Sequence, residues 1–422
     1  MSLIDALQEP VTSGPAPADT AKPLLPRWAL WLLYLVGGVL LLSFVRETTG
    51  AGQLTSANTF RSALQLAMPI ALAGLGGLWA ERVGVVNIGL EGMMVLGTWF
   101  GAYGAIAYGP WQGVLLGVIG GAVGGLIHAV ATVTFGVDHI ISGVAINLLA
   151  VGVTDFLTTT TGSWGNATKE SPPIGGNVPR LDLLPFLKDP LRDLAGQNRF
   201  FLSDLARMVL GLTSNISSLI VIAFGLFGLT AYVLWRTRLG LRLRSVGEDP
   251  DAADSLGVKV LSLKYLALTM SGALAGFGGV MLVYLFSEKF QSGQTNGRGY
   301  IGLAAMIFGN WRPGGLIAGA GLFGFMDAMQ SQVDKTSHAL LVAAAILFVV
   351  LGIVALARRR WVPGVLLLVI AGLAWYWYDT TDKLPPEFIP YFPHVTTLLV
   401  LVLASQRLRM PAADGKIWRR SG

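Results

Sequence analysis

The chain has 422 residues, of which 53% are hydrophobic and only 13% charged, and it carries a formal net charge of +6. That balance excludes an ordinary soluble domain, which could not keep so much apolar surface out of water. The absence of cysteine excludes disulfides, thiolate metal sites and a catalytic thiol.

The first 27 residues hold Asp5, Glu9 and Asp19 among five prolines, the wrong sign for the basic start of a signal peptide, and read as a disordered cytoplasmic tail. Apolar runs long enough to cross a bilayer follow at 28–45, 60–80, 88–108, 111–135, 140–160, 214–235, 265–286, 340–357 and 361–378. The stretch 300–330 is too long for one helix, and Pro313 breaks it after Asn310, so two half-helices are expected. A short run at 395–405 completes a span begun near Phe388. The expected fold is therefore an all-α polytopic membrane protein with about ten to twelve transmembrane or re-entrant helices. Its expected units are a tail at 1–27, a transmembrane core at 28–335, an extra helical pair at 336–385, and a final helix with a cytoplasmic tail at 386–422.

Lysine and arginine placement orients the chain, because cytoplasmic connections retain them. With the N-terminus inside, Arg236, Arg238, Arg242, Arg244, Lys259 and Lys264 share one cytoplasmic loop at 236–264, and Arg358, Arg359 and Arg360 share another. The loop 162–210 then faces outward, its basic residues nearly balanced by Glu170, Asp182, Asp189, Asp193 and Asp204. The +6 charge needs no nucleic acid, since the basic residues gather at the ends of apolar segments. An internal echo, Ile88-Gly89-Leu90 with Met93 against Ile301-Gly302-Leu303 with Met306, is the pattern of pseudo-repeated halves around a central pathway.

The loop 236–264 carries a self-contained short helix. Asp249 can cap its free amide donors, Pro250 suits its first position, and Gly257 can supply the left-handed stop. A rigid helix beside the membrane is a lever that a partner can push, and it also fits an ordinary capped loop helix.

Charged groups in apolar segments are costly, about 2.5 to 3.5 kcal/mol at a helix centre, and each invites a functional reading. Glu91 lies one helical turn after Asn87 and with it either lines a hydrophilic path or braces the broken start of its helix. Asp155 sits beside Thr154 near the outer end of its segment, and Asn147 can join them along a path. Trp79, Trp99 and Phe100 read as interface anchors in preference to base-stacking platforms. No nucleophile, base and metal constellation marks a catalytic site, and Asp138-His139 reads as a helix-end cap in preference to a metal site.

Four motifs in order carry a family resemblance. The run Leu239-Gly240-Leu241-Arg242-Leu243-Arg244-Ser245-Val246-Gly247-Glu248-Asp249-Pro250, continued by Ala252-Ala253 and Leu256-Gly257-Val258, closely resembles the coupling-loop motif of ABC-importer permeases of the branched-chain amino acid, ribose and nucleoside group. The stretch from Glu81 to Gly92, the stretch from Gly297 to Gly309 and the tail from Gly415 to Arg420 agree with the same group. Val85 to Gly92 looks most like its nucleoside and simple-sugar branch. The resemblance implies a bacterial inner-membrane permease subunit, and the charge placement puts both termini on the cytoplasmic side. It would pair with a second permease chain in a heterodimer, with cytoplasmic ATP-binding subunits and with an extracytoplasmic solute-binding lipoprotein. The family's coupling residues carry over to Glu248, Asp249, Pro250, Ala252, Ala253, Leu256 and Gly257. The chain departs from the family between Leu340 and Pro385, where the extra pair lies. No Gly-x-x-x-x-Gly-Lys-Ser/Thr phosphate loop occurs, so no nucleotide or other cofactor is expected in this chain and energy must enter through a partner. The alternative is an ion-gradient-driven secondary transporter using Glu91, Asp155 or Asp327.

Overall fold

In a computed structural model the chain is described over residues 27–161, 164, 168–176, 178–330, 335–382, 384–391 and 408–419. The expected tail at 1–26 and the expected final span at 392–407 lie outside the described residues. Among the described residues, eight helices are long and apolar enough to cross a membrane. The chain is thus a polytopic helical membrane protein.

Two helices form the axis of the bundle. Helix α2 (Ala57–Glu81) has 83% of its apolar window buried inside the protein, and α11 (Val260–Leu282) is nearly as enclosed. Against them pack α3 (Leu90–Tyr108) and α4 (Pro110–Ala129), and α5 (His139–Thr160) lies against α3. In lipid there is no hydrophobic force between helices, so close packing of small residues has to hold them. A Cβ at Gly97 of α3 would stand 2.2 Å from the Gly276 carbonyl oxygen of α11, and one at Gly121 of α4 would stand 2.3 Å from that of Gly272. The backbones of α3, α4 and α11 therefore touch, and their 1,5-spaced glycines are the reason.

The expected break near Asn310 is real. Helix α12 (Arg298–Phe308) is followed by a tight turn and by α13 (Pro313–Met329), with Pro313 at its first position. Eleven residues of α-helix reach about 16 Å, roughly half the hydrocarbon thickness. The run expected from residue 88 starts its helix only at Leu90, because Asn87 to Gly89 form an irregular lead-in.

Helix α1 (Arg27–Thr49) lies outside this core. The segment after α5 holds two amphipathic helices that sequence reading did not single out, α6 (Lys188–Gly196) and α7 (Leu202–Thr213). A two-residue strand β1 (Arg180–Leu181) pairs antiparallel with β2 (Ile216–Ser217) and closes this excursion before α8 (Ser218–Arg236). Asp204 of α7 is fully buried, and one carboxylate oxygen accepts from Arg46 at 2.9 Å, Thr55 at 2.7 Å and Arg207 at 3.2 Å. That knot pins the excursion to α1. Beyond α8 come α9 (Arg238–Glu248) and the two-turn α10 (Pro250–Ser255).

Helices α14 (Lys335–Ala357) and α15 (Trp361–Thr380) occupy the extra region and pack against each other. Only 17% of the α15 window is buried. A small cluster of Val45, Ala51, Leu54, Met329, Ala339, Val342 and Ala343 joins α14 to α1 and the end of α13.

The aromatic residues need a correction. Trp79 and Trp99 are not interface anchors: both are buried, with Trp79 donating to Thr230 at 3.1 Å and Trp99 to Thr158 at 3.0 Å. Trp99 also stacks on Tyr103 and meets Phe100 edge to face. Each indole is held because an N–H buried in apolar surroundings requires an acceptor.

Candidate translocation and coupling site

Two polar features stand out in an otherwise apolar bundle. The first is a knot at the start of α3. Helix α2 ends at Glu81, Gly84 turns the chain with φ +76°, and the irregular lead-in brings Asn87 into complete burial. Asn87 accepts from the Gly89 amide at 3.0 Å and donates to Ser271 of α11 at 2.8 Å. Asn147 of α5 accepts from the Gly92 amide at 2.7 Å and donates to the Ile88 carbonyl at 3.1 Å and the Tyr300 hydroxyl at 2.8 Å.

Glu91 completes the knot. Its two carboxylate oxygens accept from the amides of Gly297 at 2.9 Å and Gly299 at 2.7 Å. Both amides belong to the start of α12, where free donors and the helix dipole favour a negative charge. A Cβ at Gly299 would stand 2.6 Å from the Glu91 Cα, so this approach requires glycine there. The first echoing segment thus supplies the carboxylate, and the residues just before the second supply the amides.

The knot joins Asn87, Glu91 and Asn147 but leaves out Thr154 and Asp155. Thr154 bonds back to the Ala150 carbonyl of its own helix at 2.9 Å. Asp155 lies eight residues beyond Asn147, about 12 Å along α5, where it pairs with Lys169 and accepts from Ser292 at 2.8 Å. Asp327 pairs with Arg298 at 2.6 Å. Sequence reading missed Tyr300 and Ser271 as members. Tyr300 lay in the Gly297-to-Gly309 motif and is 46% exposed, which makes its hydroxyl the open side of the knot.

The second feature is α10. Thr237 caps α9 by accepting from the Gly240 amide at 3.1 Å, and α9 buries Gly240, Leu243, Val246 and Gly247. A Cβ at Gly247 would stand 2.4 Å from the Arg82 carbonyl oxygen, so α9 ends directly on the turn between α2 and α3. Asp249 then caps α10 by accepting from the Ala252 amide at 2.9 Å, Ala253 is buried, and Gly257 leaves the helix at φ +79°. Leu256 projects from this helix end with 85% of its surface exposed. Asp138 of the pair considered as a metal site caps α5, accepting from the amides of Ile140 at 2.9 Å and Ile141 at 3.1 Å.

The description "Branched-chain amino acid transport system / permease component" fits residues 59–351, which covers α2 to α13 and most of α14. The chain belongs to that permease family. The nucleoside ABC transporter permease NupC of Lactococcus lactis subsp. cremoris is 32% identical over 356 residues, covering 82% of this permease and 92% of NupC. The guanosine ABC transporter permease NupQ of Bacillus subtilis is 35% identical over 276 residues, covering 63% of this permease and 79% of NupQ. A putative glucose ABC transporter permease, TsgC13 of Haloferax volcanii, is 31% identical and covers 85% of this permease and 96% of itself. No solved structure matches the permease. Both polar features lie within the stretch that the family description covers.

Proposed function

We propose that this permease is the membrane-spanning subunit of an ATP-driven importer for a nucleoside or simple sugar. The observation that carries the reading is α10, a capped helix with Leu256 exposed that follows directly on α9, whose Gly247 packs on the α2–α3 turn, in a chain that has no phosphate loop of its own. A separate ATPase subunit pushing on α10, through Glu248, Asp249, Pro250, Ala252, Ala253, Leu256 and Gly257, would load the side of the bundle where the end of α9 meets the turn that leads to Asn87 and Glu91. The α10 side is then cytoplasmic, and the segment between α5 and α8 faces the solute-binding protein. A second permease chain pairs with this one across the membrane.

Nucleoside and sugar are favoured because two relatives are named for nucleoside or guanosine and one for glucose. The knot suits such uncharged solutes: it offers amide and hydroxyl groups, and its one carboxylate is occupied by backbone amides. Asn147 lies on the inner part of the path, with Asn87 and Glu91 bracing it from the knot, and Thr154 and Asp155 lie further out. The ion-driven alternative gains no support, since Glu91, Asp155 and Asp327 are each engaged by fixed partners.

Ala253→Pro tests the role of α10. It deletes the 3.0 Å bond from the Ala253 amide to the Asp249 carbonyl and sets the proline ring against that carbonyl, a cost of about 3 kcal/mol. The expected result is a stably inserted, assembled complex with no ATP-dependent uptake. Normal uptake by that variant would remove α10 from the mechanism.

A further inference from the structure

The described tail at 408–419 is not a loose end. It crosses the α10 side of the bundle and contacts α9, α10, α11 and the α12–α13 turn. Ala413 donates its amide to the Gly247 carbonyl at 2.9 Å, Ala412 donates to the Glu248 carboxylate at 3.3 Å, and the Trp418 indole donates to Asp251 of α10 at 2.7 Å. The Trp418 ring also lies 5.8 Å from the Lys264 ammonium of α11. On the other flank Arg409 donates its amide to Asn310 of the α12–α13 turn at 2.8 Å, and Arg419 reaches the Phe135 carbonyl beyond α4 at 3.5 Å.

The centre of this segment sits on the α2–α3 turn. A Cβ at Gly84 would stand 3.0 Å from the Ala413 carbonyl oxygen and 3.6 Å from its Cβ. The Asp414 carboxyl meets that of Glu81, the last residue of α2, which also accepts from the Trp311 indole. Two tight turns, Asp414 to Pro411 at 3.1 Å and Lys416 to Ala413 at 3.2 Å, hold the segment's own shape.

Helix α10 has six residues, of which only Pro250 and Ala253 are buried. So small a helix, held by its own chain ends, would tilt under load instead of passing the load on. We propose that residues 411–419 are a positioning strap that makes α10 and the α2–α3 turn move as one body, so that displacement of α10 reaches the polar knot. From Gly84 to Asn87 the chain spans at most about 10 Å, and Asn87 is bonded to Ser271. The strap thereby gives a mechanical role to Gly415 to Arg419 of the tail motif, which neither the path nor the α10 surface explains.

This inference rests on the ATP-driven reading above, and the test separates the two. The assembled importer in vesicles is assayed for ATP hydrolysis and for solute uptake in the same sample. Deleting 411–422 is expected to leave hydrolysis measurable and to lower uptake per ATP by roughly fivefold to tenfold, an ordinary coupling between sites, with Trp418→Ala giving a smaller loss of the same kind. Because the chain has no cysteine, Gly84→Cys with Ala413→Cys gives a clean cross-link at a Cβ separation of 3.6 Å, inside the disulfide range. Single Gly84→Cys controls for the strain of a side chain at positive φ. The cross-linked protein is expected to transport as well as its reduced form, because the strap and the turn do not separate. If the deletion does not assemble, Trp418→Ala and the cross-link decide. Unchanged uptake per ATP in the strap variants, or transport blocked by the cross-link and restored by reductant, overturns the strap alone. Wild-type uptake without ATP overturns the underlying reading instead.

Discussion

Replacing Glu91 by Gln separates a brace from a wall of the path. In the native protein each carboxylate oxygen takes one amide from the start of α12, at 2.9 Å from Gly297 and 2.7 Å from Gly299. Glutamine keeps one acceptor and turns an NH2 group toward the other amide, so one charge-assisted bond is lost and donor faces donor. A hydrogen bond to a charged group contributes about 1.5–3 kcal/mol, and the lost charge at a helix N-terminus adds about 0.3–1 kcal/mol. A loss of about 2 kcal/mol at the α12 start corresponds to roughly 30-fold faster local opening. Hydrogen exchange read by mass spectrometry on peptides spanning 295–308 measures that opening directly. The expected result is selective acceleration there, with α2 and α11 unchanged and uptake reduced in proportion to the loss of ordered α12. Unchanged exchange together with altered solute affinity would refute the brace and place Glu91 on the path.

Further outcomes follow from other contacts. Asp204→Ala leaves the buried Arg46 with only the exposed Glu47 as a carboxylate partner and is expected to cost about 3 kcal/mol, read as an earlier thermal transition in detergent. Gly97→Ala places a methyl group 2.2 Å from the Gly276 carbonyl, and the resulting separation of α3 from α11 is expected to lower the yield of folded protein. Asp414 gives the strap a pH dependence. Burial raises its carboxyl from 3.8 to about 6, against smaller opposing effects from Glu81, the Gly415 backbone, Arg82 and Lys264. A raised pKa means that the docked tail binds protons more tightly than a free one, so docking is firmest below pH 3.8 and weakens as pH rises through about 6. Limited proteolysis of the tail is expected to speed up between pH 5 and about pH 7, and Asp414→Asn is expected to weaken that dependence, since it breaks up the carboxyl pair that Asp414 forms with Glu81.

The membrane spans were legible because about 20 consecutive apolar residues are a local signal that any bilayer imposes. The α10 helix was legible for a similar reason: Asp249, Pro250 and Gly257 each act on backbone groups within three residues of themselves. Glu91 stayed open between two roles because its partners lie 206 and 208 residues away. Ser271 and Tyr300 were hidden likewise, since nothing beside them in sequence marks them as acceptors for Asn87 and Asn147. Trp99 was misread because an aromatic at a membrane end and one inside a helix contact have the same neighbours in sequence; only Thr158 and Tyr103 tell them apart. Helices α6, α7 and α9 were missed because each is short and amphipathic, with charged residues interrupting any apolar run.

The central claim is that this permease moves solute only when a separate ATPase works α10. The most direct measurement is nucleoside uptake into vesicles holding the purified permease pair, with and without the ATPase subunits, ATP and an imposed proton gradient. Uptake against a gradient that requires both the ATPase subunits and ATP, and ignores the proton gradient, is the expected result. Accumulation driven by the proton gradient in the absence of any ATPase would contradict it.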